Sequence, residues 1–189
     1  MAKKKIITIS GRPGSGKSTA SRSIAEALGY EHFSSGDLFR AIGRELGSDV
    51  HQANLNAEQE GNIDFLVDQR LREIGATQEN VAIDSRMAWH WIPESYKVYL
   101  DLDLEVAAHR ILANIDQKRL EHEHIPEDPI EYAHRLQQRL ESEARRYRKL
   151  YDVDPYDTSN YDIVVDTANK HAQEVLVEIL AGYESWSAS

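Results

Sequence analysis

The strongest chemical signal in the chain is an eight-residue run near its N-terminus. Gly11-Arg12-Pro13-Gly14-Ser15-Gly16-Lys17-Ser18 follows the spacing G-x-x-x-x-G-K-S. Glycines so placed let backbone N–H groups turn inward around a phosphate, and a helix starting just after them adds partial positive charge. The lysine of such a loop, here Lys17, reaches the β- and γ-phosphates of a nucleoside triphosphate, and the hydroxyl of Ser18 is placed to ligate Mg²⁺. A carboxylate is available for the same ion. Asp84 closes the apolar run Val81-Ala82-Ile83, and an acid at the C-terminal end of a buried strand can complete a Mg²⁺ shell. A turn or helix cap is the competing reading of Asp84.

The arginines point past nucleotide binding to transfer. Arg86 follows Asp84 by two residues, and Arg40 lies on a segment that opens with Gly36-Asp37. Arg139 and Arg146 are seven residues apart, which puts them on one helix face about 10.5 Å apart along the axis. Arg135 shares that face. Phosphoryl transfer is catalysed by fixed positive charge on donor, acceptor and transferred group, and planar guanidinium suits two-point phosphate contact. For the helix arginines, a solvated face pairing with Glu131, Glu141 and Glu143 competes with the functional reading.

These side chains need a scaffold, and hydropathy patterning supplies one. Residues 5–10 are β-branched and end at a glycine, as a buried strand does, and 18–28 follow as a helix stopped by Gly29. Further strands are predicted at 31–34, 81–84, 96–100 and 161–165. Helices are predicted at 36–46, 63–74, 104–115, 130–151 and 171–180. The stripe of the second of these is Ile63, Leu66, Val67, Leu71 and Ile74, and Leu136, Leu140, Tyr147 and Tyr151 are the core side of the long one. Residues 50–60 are polar and poorly patterned, 116–129 read as a charged loop, and the tail from 184 is expected to fray. Alternating strands and helices imply an α/β fold built on a five-stranded parallel sheet with helices on both faces. Two stretches interrupt it, at 36–75 and 113–131, and both read as covers on one domain spanning 1–189.

Composition bounds the function. The chain has 189 residues, 22 Lys+Arg against 32 Asp+Glu, a formal net charge of −10 and no Cys. Disulfide scaffolds, thiol catalysis and Cys zinc sites are excluded, and an acidic balance argues against a nucleic-acid-binding face. The first apolar run is too short for a signal sequence or a membrane span, so a cytoplasmic location is expected.

Taken together these pieces resemble the nucleoside monophosphate kinases, most closely the archaeal-type cytidylate kinases. The resemblance is carried by Ile7 through Thr19, by Phe33-Ser34-Ser35-Gly36-Asp37-Leu38-Phe39-Arg40, and by Ile63-Asp64 through Arg70. It continues in Asp84-Ser85-Arg86-Met87-Ala88, in Arg139-Leu140-Glu141-Ser142-Glu143-Ala144-Arg145-Arg146-Tyr147 and in Tyr161-Asp162-Ile163-Val164-Val165-Asp166-Thr167. It implies a P-loop fold with a core, a monophosphate-binding insertion at 36–75 and a lid at 113–131. It implies transfer of the ATP γ-phosphate to CMP or dCMP, with Mg²⁺ as cofactor; a monomer is expected. Gly11 through Thr19 and Arg110 would hold ATP, Arg110 lying beside its base. Ser35, Gly36, Asp37, Arg40, Arg70 and Arg86 would hold the acceptor. Arg139 and Arg146 would clamp phosphates as the lid closes, and Lys17, Arg86, Arg139 and Arg146 would carry catalysis.

Three features depart from those relatives. Ser85 stands where they usually show glycine. Asn114 stands where they tend to carry a base, with Lys118 or Arg119 as possible substitutes. Glu121-His122-Glu123-His124 replaces a basic stretch and reads as a solvated lid tip rather than a metal site, since His at i and i+2 do not share a helix face. Trp89 and Trp91 either wall a base pocket or pack between sheet and helix. An adenylate kinase or other small-molecule kinase is the nearest alternative, and a nucleotide-switch ATPase the alternative from another class. The absence of the Asp-Gly-x-Pro-Arg pattern disfavours the first, and the Ser35–Arg40 segment with Arg86 disfavours the second.

Overall fold

Ile6 to Gly11 form a strand buried on both faces, and alternation divides its side chains between two cores. Ile7 and Ile9 face one core, while Ile6 faces the other, where Thr8 satisfies its hydroxyl against Ser95 Oγ at 3.1 Å. This is the central strand, β1, of a computed structural model that describes residues 3–45, 62–115 and 125–189. The other strands are β2 (Glu31–Ser34), β3 (Val81–Asp84), β4 (Tyr96–Asp101) and β5 (Ile163–Asp166). All pair in parallel, in the order β2-β3-β1-β4-β5.

Helices α1 (Lys17–Leu28) and α7 (Ala172–Ala188) cover the face of Ile7 and Ile9, packing Ile24, Val175 and Ile179 against it. Helices α3 (Asn62–Thr77) and α4 (Ala88–Trp91) cover the other face with Leu71, Ile74 and Ile92, and α2 (Ser35–Glu45) packs at its edge through Leu38, Phe39 and Ile42. A third cluster joins α5 (Leu104–Asn114) to α6 (Pro129–Tyr151). Local chemistry sets the ends of these helices. Asp103 accepts from the N–H groups of Glu105 and Val106, Asp128 accepts from that of Glu131 ahead of Pro129, and Asp152 closes α6 in the left-handed region.

The register brings the C-terminal ends of the strands to one rim. Ile9 and Ser34 both pair with Asp84, Gly11 pairs with Leu100, and Asp101 pairs with Asp166. Gly11 ends β1 at φ +143, and a Cβ there would stand 2.2 Å from the Leu100 carbonyl oxygen, so no other residue lets β1 approach β4 this closely.

Five expectations change. The C-terminal segment does not fray: α7 runs to Ala188 because Trp186 stacks on Tyr183 and packs on Tyr96. The short helix α4 and a 3₁₀ turn at Thr158–Asn160 are additional elements, each too short to show a period. The final strand starts at Ile163 rather than 161, since Tyr161 packs its ring against Tyr99 and Trp89 instead. On α3 the apolar stripe is rotated, leaving Leu66 45 % exposed while Asp64 and Asp68 are buried. Tyr151, placed in the core by its spacing, is only half-buried at the end of α6. Residues 46–61 and 116–124, with Lys118, Arg119, His122 and His124, lie outside the described residues. Among the described residues no helix is long and apolar enough to cross a membrane.

Candidate functional site

The loop between β1 and α1 is shaped by its glycines. Gly14 and Gly16 both have positive φ, and a Cβ on Gly14 would press on the Ala107 backbone at 3.2 Å. Ser15 is buried and its Oγ donates to the Arg12 carbonyl at 2.7 Å, which ties the loop to itself. Lys17 Nζ donates to the same carbonyl at 2.9 Å. Burial, helped by nearby Arg86, lowers the Lys17 pKa to about 8, against the opposing pull of Asp84 and Glu143. Arg12 turns away, pairing with Asp101 at 3.1 Å at the end of β4. Gly11 lies under the loop at the strand end, Pro13 on the loop, and Thr19 is exposed on the first turn of α1.

Ser18 Oγ donates to Asp84 Oδ2, so the hydroxyl of α1 and the acid of β3 meet across the sheet rim. Two adjacent hard oxygen donors beside a phosphate loop fit Mg²⁺, which keeps several water ligands and takes others from substrate phosphates. Among the described residues no group of three or more His, Asp or Glu gathers to hold a metal without such help.

Beside this loop a cavity opens between α2, α3, the β3–α4 turn and α6. Its lining includes Ser35, Gly36 and Arg40 from α2, Arg86 from the turn, and Arg139 and Arg146 from α6. The four arginines therefore converge, and each is held by an acid. Arg40 pairs with Asp37 one turn back. Arg86 Nε meets Glu143 at 2.8 Å, and Arg139 Nε meets the other oxygen of Glu143 at 3.0 Å. Arg146 Nε meets Asp64 at 3.2 Å. Tyr156 also donates its hydroxyl to Glu143. Burial works against ionisation of Glu143, but Arg86 and Arg139 outweigh it and hold the carboxyl at about 2. Asp64 goes the other way: burial dominates, Arg146 only partly offsets it, and its pKa rises to about 6.

A second cavity lies on the other side of the phosphate loop, lined by Ser15, Gly16, Thr19, Arg110, Thr167 and Lys170 among others. Arg110 is fixed there by donating to the carbonyls of Thr167 at 2.6 Å and Ala168 at 2.7 Å.

Most of the residues singled out from sequence thus meet at one rim. Arg70 does not: it is half-exposed on α3, pairs with Glu73 at 3.2 Å and is not among the residues lining the cavity. Arg135 is exposed on α6. The tryptophans do not line the arginine cavity. Trp89 bonds the Arg86 carbonyl at 2.8 Å, and Trp91 bonds Asp68 at 2.8 Å under the Arg72 guanidinium, so both pack and brace. The site residues that sequence reasoning missed are acids. Glu143 read as a surface partner and Asp64 was passed over, although each occupies a slot of an apolar stripe, Glu143 between Leu140 and Tyr147 and Asp64 ahead of Val67 and Leu71.

Known proteins support the same picture. A family model described as an AAA domain matches residues 10–128. The chain is 39% identical over 186 residues to a cytidylate kinase of Haloarcula marismortui, covering 96% of this chain and 91% of that protein. It is 38% identical over 166 residues to a cytidylate kinase of Natronomonas pharaonis, with 86% and 81% covered. Among solved structures, a gluconokinase from Sinorhizobium meliloti superposes with a TM-score of 0.63 at 19% identity, over 100% of this chain and 96% of that one.

Proposed function

The chain belongs to the cytidylate kinases, and from that membership we propose that it transfers the γ-phosphoryl group of ATP to CMP or dCMP. The observation that carries the reading is the convergence of Arg40, Arg86, Arg139 and Arg146 in one cavity beside the phosphate loop. A nucleotide switch needs a triphosphate site alone, whereas this cavity offers a second anion its own guanidinium groups.

In this reading the loop N–H groups and Lys17 hold the β- and γ-phosphates of ATP, and Arg110 flanks its base. Arg40 and Arg86 grip the acceptor phosphate, with Ser35, Gly36 and Asp37 shaping the turn that carries Arg40. Ser18 and Asp84 would hold Mg²⁺, which neutralises charge between the phosphates when bound. A phosphate oxygen at neutral pH is already anionic, so the acceptor needs no strong general base. It attacks the γ-phosphorus in line, and Arg139 and Arg146 stabilise the charge spread over the transferred group. The insertion at 36–75 covers the acceptor, and 113–131 closes as a lid that excludes water. In this reading the enzyme works as a cytoplasmic monomer.

The test is an ADP-coupled assay across AMP, CMP, dCMP, UMP, dTMP and GMP. CMP and dCMP are the expected best acceptors, with Lys17→Ala inactive and Arg86→Ala raising the acceptor KM at least tenfold (about 1.4 kcal/mol). AMP as the best acceptor, or an Arg86→Ala enzyme with unchanged acceptor kinetics, overturns the assignment.

A further inference from the structure

One hydroxyl bonded into the arginine cluster belongs to a residue outside the cavity. Glu143 divides its carboxylate between two arginines: Oε2 meets Arg86 Nε at 2.8 Å, and Oε1 accepts from Arg139 Nε at 3.0 Å. Nothing in those two pairings fixes the division. The terminal torsion of a glutamate is broad, and a guanidinium favours taking both carboxylate oxygens at once. Left to themselves, the two arginines compete, and the one that draws the carboxylate round leaves the other unpaired.

A third donor decides the matter. Tyr156 donates its hydroxyl to Oε2, the oxygen that meets Arg86, and so leaves Oε1 to Arg139. Tyr156 does not line the arginine cavity. It stands on the loop after α6 and lines a separate cavity with Leu140, Ala144 and Arg148. At 3.6 residues per turn those three positions lie on a different face of α6 from Arg139, Glu143 and Arg146. The loop is tied down at several points. Asp152 closes α6 in the left-handed region, Asp154 pairs with Arg148 and accepts from the Tyr156 N–H at 2.9 Å, and the Tyr161 hydroxyl donates to the Pro155 carbonyl at 2.7 Å. The Tyr156 ring is thereby held against the helix whose glutamate it contacts. A phenylalanine would fill the same space but would give Glu143 no proton.

We propose that Tyr156 is a positioning residue: its hydroxyl holds the Glu143 carboxylate in the divided pose that aims Arg86 at the acceptor phosphate and Arg139 at the transferred phosphoryl group. What the two arginines then do rests on the kinase reading above.

The experiment measures the kinetics of Tyr156→Phe with CMP and ATP. Beside it stands Tyr161→Phe, which removes a hydroxyl that holds the same loop without touching Glu143. In both variants NMR follows the Nε–H resonance of Arg139, assigned by its loss in Arg139→Lys. Rates are taken per folded enzyme, counted by ATP binding, and Tyr156→Met, also without a hydroxyl, is read the same way should the phenylalanine variant be unstable. Tyr156→Phe is expected to lower kcat/KM for CMP at least about fivefold, to keep the KM for ATP within about twofold, and to move the Arg139 resonance. Tyr161→Phe is expected to leave all three at their wild-type values. An unchanged kcat/KM for CMP in Tyr156→Phe overturns the proposal, as does an unmoved Arg139 resonance. An equal loss in Tyr161→Phe also overturns it, because the loop as a whole would then be responsible. A wild type inactive on CMP fails the kinase reading itself, and the proposal with it.

Discussion

Replacing Glu143 by Gln removes one negative charge from a buried position where two arginines share it. Glu143 is 6% exposed, with Arg86 at 2.8 Å, Arg139 at 3.0 Å and the Tyr156 hydroxyl completing its partners. Glutamine keeps the volume but cannot balance either guanidinium. Breaking a buried pair by removing one partner costs about 3–5 kcal/mol. The Arg86 side chain is 27% exposed and that of Arg139 50%, so water shares the load and the lower end of that range applies. A loss of about 3 kcal/mol lowers Tm by roughly 6–12 °C in a domain of this size. The sign with pH follows from the carboxyl being held at about 2 against its ordinary 4.5. A lowered carboxylate pKa stabilises the fold above the ordinary value and loses that contribution as pH falls, here between about 4.5 and 2. The gap between wild type and Glu143→Gln should therefore be full at pH 7 and close on acidification. Inorganic phosphate should raise Tm more in the variant, because an anion then supplies the charge that Glu143 no longer does. Scanning calorimetry at pH 7, 5 and 3, with and without phosphate, reads all of this. A Tm difference below about 2 °C at pH 7, or a gap at pH 3 as large as that at pH 7, would refute the reasoning.

Two further perturbations test the phosphate loop. Gly11→Ala would set a Cβ 2.2 Å from the Leu100 carbonyl oxygen and 2.8 Å from its nitrogen, both backbone atoms, so relief requires β1 and β4 to separate. A loss above about 3 kcal/mol is expected in urea denaturation, and a variant as stable as wild type would refute the close approach. Lys17, lowered to about 8 by burial and by Arg86, is near half-protonated at pH 8 in the free protein. Bound phosphates raise that pKa, so ATP binding at pH 8 should take up about half a proton, read by titration calorimetry in two buffers of different ionisation enthalpy. Proton release, or none, would contradict it.

The phosphate loop, the five strands and the parallel order were legible because each rests on local chemistry. Gly14 and Gly16 announce positive φ, and runs such as Val81-Ala82-Ile83 announce buried strands. Arg86 and Asp84 were legible as site residues because a parallel sheet gathers its strand ends. The acids were not. Asp64 and Glu143 look like ordinary charged positions on helices, and a charge reads as solvated until packing shows that an arginine from another element meets it. The available signal was positional: each stands where the apolar stripe of its helix calls for a hydrophobic residue. Arg70 stands outside the cavity lining for the converse reason, since a motif's neighbourhood does not fix which way a helix turns its side chains. Trp186 held the C-terminal segment in place through contacts with Tyr96, a residue ninety positions away, which no local pattern records.

Pairing arginines with acids also bears on how fast an anionic substrate arrives. Four arginines in the cavity lining stand against Asp64, Asp68 and Glu143, so the mouth of the cavity presents little net field to solution, while the chain as a whole carries −10. At physiological ionic strength both that net charge and the guanidinium groups are screened beyond about 8 Å, so a nucleotide feels the arginines only at close range. In this protein, capture is governed by what happens inside the cavity, where a phosphate takes over guanidinium groups that carboxylates already hold in place.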